Sequence, residues 1–145
     1  MFSLSVSEVS FRAANSDSVS FESFSVFMGT AFDEELVDTF ADNYRGERTQ
    51  VFSGSNVTFA PSAGWVRIPL DMEYLWNGSD SIILEVVYSG ADQGMLYCGY
   101  WETDGFRTMY SGNDEALTGS LERFAPHLVV TGAVVFDTGF GMVTF

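Results

Sequence analysis

The chain opens on strict alternation. Phe2, Leu4 and Val6 are separated by Ser3, Ser5 and Ser7, after which the apolar phase slips to Val9 and Phe11. A period of two puts successive side chains on opposite faces of a strand, and the slip predicts a β-bulge near Ser7 and Glu8. Asn15-Ser16-Asp17-Ser18 predicts a turn. Residues 19–28 predict a second strand, with a similar phase change between Phe21 and Phe24, and the two strands are expected to pair as a hairpin. Phe32, Leu36, Phe40 and Tyr44 then recur every four residues, and Asp33, Glu34 and Glu35 sit where a helix N-terminus favours negative charge. One or two helical turns are expected there and nowhere else.

Short strands are expected at 49–52 and 57–59, separated by Ser53-Gly54-Ser55-Asn56. Across 64–70, Val66, Ile68 and Leu70 share one face while Trp65 and Arg67 share the other. Asn77-Gly78-Ser79-Asp80 is a strong turn signal. Residues 81–88 carry Ile82, Leu84, Val86 and Tyr88 on one face and Ile83, Glu85 and Val87 on the other, which predicts a central strand covered on both sides. Further strands are expected at 95–101, 106–110 and 127–130. About nine or ten strands at this spacing predict an all-β fold, a two-sheet antiparallel β-sandwich of jelly-roll type with at most one short helix.

Within this pattern residues 1–132 read as the sandwich domain and 133–145 as an added apolar strand or hairpin. Val134, Val135 and Phe136 precede the turn residues Asp137, Thr138 and Gly139, and Phe140, Met142, Val143 and Phe145 follow them. Left in water, such a segment invites aggregation, so it is expected to pair with its own sheet or with a neighbouring copy. Val134, Phe136, Phe140, Met142 and Phe145 are the candidate subunit-contact residues.

Composition narrows the partners. With 46% hydrophobic and 16% aromatic residues, the 145-residue chain has the material for one packed core. It has no lysine, and six arginines face twenty acidic residues for a net charge of −14. Such a surface repels phosphate backbones, which argues against nucleic acid and anionic membranes and for cations or a basic partner. The single cysteine, Cys98, allows no internal disulfide and reads as a small buried hydrophobe. No run approaches the roughly 18 apolar residues of a membrane span. Met1-Phe2-Ser3-Leu4 lacks the basic and hydrophobic regions of a signal peptide, which leaves open whether an export signal was removed.

Gly64-Trp65, Ile68, Leu70, Tyr74, Trp76, Asn77-Gly78 and the run 82–87 with Glu85-Val86 form a connected pattern. It resembles a sandwich module of secreted and cell-surface bacterial proteins, with Val26-Phe27-Met28-Gly29 and Phe124-Ala125-Pro126-His127-Leu128 extending the likeness over 9–131. The chain departs from the pattern at Met72-Glu73 and at Ser81. The resemblance implies a β-sandwich in an extracellular or cell-surface setting and carries no chemistry. A first strand common upstream in such modules is missing, which together with the spare C-terminal strand suggests head-to-tail strand exchange between copies.

Val134-Val135-Phe136-Asp137-Thr138-Gly139 matches the Asp-Thr-Gly signature of aspartic proteases. That chemistry needs two such carboxylates and a downstream flap, and only six residues follow Gly139, so a hairpin turn is the reading adopted. His127 is the only histidine, and with no lysine the chain lacks most bases and nucleophiles used near neutral pH. Glu73, Glu85, Glu102 and Asp104 show no spacing that marks an acid and base pair. Calcium is the candidate cofactor, with Asp33-Glu34-Glu35, Asn77-Gly78-Ser79-Asp80 and Asn113-Asp114-Glu115 as oxygen-rich candidate turns of no EF-hand spacing. Tyr97, Tyr100 and Trp101 are candidates for stacking on sugar rings, against the alternative that they are core. Asn56-Val57-Thr58 and Asn77-Gly78-Ser79 are glycosylation sequons on turns. The expectation is therefore a non-enzymatic extracellular subunit that self-assembles by strand addition, with a carbohydrate-binding module as the alternative.

Overall fold

The structure is a computed structural model and describes residues 2–94, 97–113, 115–136 and 142–144. It is all-β. Strands β1 (Phe2–Arg12), β4 (Trp65–Trp76), β10 (Leu128–Phe136) and β11 (Met142–Thr144) form a four-stranded antiparallel sheet in the order β11-β10-β1-β4. A three-stranded sheet, ordered β3-β2-β5, consists of β2 (Val19–Thr30), β3 (Thr49–Phe59) and β5 (Ile82–Ser89). Two small ladders pair β6 (Tyr100–Glu102) with β9 (Phe124–Pro126), and β7 (Thr108–Tyr110) with β8 (Ser120–Glu122). Among the described residues no helix is long and apolar enough to cross a membrane.

The two large sheets meet face to face over one apolar core. Val6, Val9 and Ile68 come from the four-stranded sheet, and Phe24, Val26, Met28 and Val51 come from the three-stranded sheet. The alternation that predicted β1 holds, and its slip is a bulge between Val6 and Glu8, in register with both β10 and β4. Val6 opposes Tyr74 while Glu8 opposes Pro69, so β4 carries extra residues at this point and exposes Met72. In β2 the pairing irregularity lies between Val26 and Phe27 and not between Phe21 and Phe24.

Four expectations are corrected. The strands β1 and β2 do not form a hairpin; each presents one apolar face, and the chain crosses at 13–18 so that these faces oppose each other across the core. The segments 49–52 and 57–59 are one strand, with Asn56 taking a left-handed φ of 51° so that the ladder to β2 passes through the polar Ser-Gly-Ser-Asn stretch. The strand β5 is at a sheet edge, with β2 central; the outer face of β5 is covered instead by the 31–48 connection, from which Tyr44 reaches Glu85. Finally, the four-residue period does not produce a helix starting at Asp33, and only a single 3-10 turn forms, at Phe40–Asn43. Of the periodic residues Phe32 stays exposed, and Leu36, Phe40 and Tyr44 are only partly buried, so the stripe never becomes the buried face that would stabilise a short helix.

Candidate functional site

One end of the four-stranded sheet is built by three main-chain hydrogen bonds among distant residues. The Arg12 amide donates to the His127 carbonyl at 2.9 Å, the His127 amide to the Gly99 carbonyl at 2.7 Å, and the Gly99 amide to the Arg12 carbonyl at 2.8 Å. This closed ring ties the end of β1 to the segments that lead into β6 and β10. Ala13 joins the same corner, donating to the Gly64 carbonyl just before β4.

The side chains above this ring form an open cleft of about 330 Å³, lined by Arg12, Trp65, Trp101, His127, Leu128 and Val129. Arg12 and Trp65 are register partners on the outer face, and the guanidinium carbon sits 5.5 Å from the indole centroid. Trp101 lies 4.5 Å from the His127 ring at an interplanar angle of 40°. Gly99 packs closely beneath His127: a Cβ there would stand 3.1 Å from the imidazole Nδ1, so the ring would have to give by a few tenths of an ångström. Two indoles, an imidazole and a guanidinium thus line one concave surface. Such a set presents flat apolar faces and hydrogen-bond donors but no opposed pair of acids.

The three aromatic candidates separate. Trp101 is in the cleft and 55% exposed. Tyr100, its neighbour on β6, points to the opposite side and packs on Phe124 with centroids 5.1 Å apart. Tyr97 lines a second cavity inside the mouth of the sandwich. Cys98, expected to be buried, is exposed at that mouth; burial of part of its surface still pushes the thiol pKa up. Arg12, Trp65 and His127 were not among the sequence candidates for this surface. Only the outward phase of Trp65 hinted at it, since the four residues come from four distant parts of the chain.

Three of the C-terminal candidates belong to the four-stranded sheet. Val134 is buried, opposite Leu4 on β1 and Val143 on β11. Phe136 pairs with Phe2, and Met142 with Val135. Phe140 and Phe145 lie outside the described residues, as do Asp137, Thr138 and Gly139. The division drawn at 132/133 falls within β10.

Several of the acidic groups are engaged locally. Glu85 accepts hydrogen bonds from the Tyr44 hydroxyl at 2.6 Å and from Arg48 at 2.5 Å, on the outer face of the three-stranded sheet. Glu73 accepts from Ser5 on the outer face of the other sheet, so these two carboxylates do not face each other. In the candidate calcium turns, Asp33 accepts from the Glu34 amide and Asn77 Oδ1 accepts from the amides of Ser79 and Asp80. Asn113 Oδ1 accepts from the Glu115 amide, and Asp114 lies outside the described residues. No group of three or more metal-ligating side chains occurs among the described residues. No family model, curated protein or solved structure matches this chain.

Proposed function

We propose that this chain is a non-catalytic β-sandwich module of a secreted or cell-surface protein, and that it binds carbohydrate at the cleft formed by Trp65, Trp101, Arg12 and His127. The single observation behind this reading is the pairing of two indoles with a guanidinium and an imidazole on one open concave surface. Pyranose rings present apolar C–H faces and equatorial hydroxyls. Indoles take the former, and Arg12 and the ring nitrogens of His127 serve the latter.

The test is affinity electrophoresis and pull-down on a panel of insoluble and soluble polysaccharides. Retention on at least one glycan is expected, reduced more than tenfold by either Trp65→Ala or Trp101→Ala. The distant Tyr100→Ala leaves it unchanged. If no glycan retains the protein, or if the tryptophan variants bind as well as the parent, the reading fails.

A second reading, a subunit that assembles by strand addition, is favoured by the position of β11. This three-residue strand forms the outer edge of the four-stranded sheet and pairs with β10 through three residue pairs. A copy that exchanged β11 would reuse those pairs in a partner and propagate head to tail. Light scattering on the full chain and on a chain ending at residue 136 discriminates. A mass that falls to the monomer on truncation supports exchange; a monomer in both cases removes it.

A further inference from the structure

A second cavity, of about 310 Å³, opens at the same end of the molecule, between the two sheets. Phe21, Phe24, Phe59 and Val86 wall it from the three-stranded sheet, and Phe11 and Ile68 wall it from the four-stranded sheet. Cys98 and Tyr97 stand at the mouth, and Arg12 is the only charged residue among the described residues of the lining. Protein interiors are packed to the density of organic crystals, with few voids larger than a water molecule. This space equals about ten water volumes, and an ordered water needs two to four polar partners. The walls offer almost none.

The rings fix the shape. Phe24 contacts Phe59 at 4.7 Å between centroids, Phe21 contacts Phe24 at 5.1 Å, and Phe21 contacts Tyr88 at 5.0 Å. These aromatic contacts join β2, β3 and β5, so closing the space would separate rings that already pack on one another. On the opposite sheet, Ile68 is fully buried and Val66 nearly so, which anchors that wall too.

We infer that this cavity is a binding site for a small amphiphile, a hydrocarbon chain of about ten carbons lying among the phenylalanines with a single anionic head group at Arg12. The length follows from the volume, since a methylene occupies roughly the space of one water. The sign of the head group follows from Arg12, which among the described residues ion-pairs with no carboxylate and carries the one charge of the lining. Its guanidinium lies over the Trp65 indole, 5.5 Å from the centroid, where the mouth of this space meets the outer cleft. The site is separate from the proposed sugar cleft, which lies on the outer face of the four-stranded sheet; the two share Arg12 and no aromatic residue.

The test uses the intact chain and sodium decanoate, read by isothermal titration calorimetry and by the alkylation rate of Cys98 with iodoacetamide. One saturable site is expected, with Cys98 alkylation slowed at least tenfold at saturation. Affinity should rise from hexanoate to decanoate and fall again at hexadecanoate, because the chain then outgrows the cavity. Decyltrimethylammonium, which the acidic surface would attract non-specifically, should bind at least tenfold more weakly than decanoate. Val86→Phe fills the space and should abolish both signals, while Trp101→Ala, which tests the sugar cleft, should leave them intact. Non-saturable uptake, unaltered Cys98 alkylation, affinity that climbs with chain length without a maximum, or preference for the cation would each overturn the site. Should Val86→Phe not fold, the chain-length series and the thiol protection in the parent protein decide the matter alone.

Discussion

At Gly29 a single added methyl group would collide with a ring that cannot move away. A Cβ there would lie 2.6 Å and 2.7 Å from two carbons of the Tyr44 ring, and Tyr44 is held by its hydroxyl on Glu85, itself clamped by Arg48. Gly29→Ala is therefore expected to cost about 1–3 kcal/mol, seen as a lowered midpoint in urea with an unchanged slope. The same contact governs alkaline stability. Burial, and then the hydrogen bond to Glu85, push the Tyr44 pKa far above its ordinary value of 10.0. The folded state then keeps a proton that the unfolded state releases, so the contribution is present in full below pH 10 and is lost as pH rises further. Tyr44→Phe should make the fall in thermal midpoint between pH 9 and 11 shallower than in the parent, and an identical slope would remove Tyr44 from the account. Asn43 is a third such residue. Buried, it accepts from the Val37 amide at 2.8 Å and donates to the carbonyls of Val37 and Thr39, so it holds the irregular 31–48 connection together. Asn43→Ala leaves those groups without their partner and should cost about 1–3 kcal/mol by the same urea measurement.

Elements show where local pattern stops determining structure. The alternation of β1 and the inward Val66 and Ile68 of β4 were legible because a period of two and a buried face are properties of a few neighbouring residues. The partner of each strand was not legible: the turn at 13–18 looks the same whether the chain doubles back beside β1 or crosses to the facing sheet. Similarly, the doubly apolar 82–87 run identifies burial on both faces, but cannot say whether the second cover is a sheet or the 31–48 connection. The cleft was hidden for the same reason, since Arg12, Trp65, Trp101 and His127 meet only through long-range main-chain bonds. The C-terminal segment can be dissected at this scale. The strand β10 makes nine pairs with β1, from Phe2↔Phe136 to Phe11↔Leu128, and is flanked by strands on both sides, whereas β11 is a three-residue edge. A chain ending at residue 136 should keep the parent's strand signal in circular dichroism and a cooperative melt. One ending at residue 127 should not fold, because β1 would lose a whole ladder and Val6 and Val9 their cover.

For the whole molecule the governing quantity is charge. Twenty acidic side chains against six arginines leave −14 on a small domain, and the ion pairs among the described residues engage only Arg45, Arg48 and Arg107. Two of those pairs, Arg45 with Asp80 and Arg107 with Glu34, span 3.9 Å between exposed groups, so they contribute little. Self-repulsion therefore opposes the compact state more than local pairing supports it. Because the screening length shrinks from roughly 30 Å at 0.01 M salt to about 8 Å at 0.15 M, added salt should relieve that repulsion. The thermal midpoint should rise by several degrees between 10 mM and 300 mM sodium chloride, most steeply at the low end. Calcium chloride at matched ionic strength separates screening from site binding. A rise equal to that in sodium chloride means the acidic turns act only as a diffuse field, which fits their side-chain oxygens being taken up by neighbouring amides. A larger rise that saturates at micromolar calcium would mean that some of these oxygens exchange their amide partners for a metal ion. A midpoint that fell with salt would instead mean that attraction between opposite charges outweighs self-repulsion, contrary to the exposed geometry of the arginines.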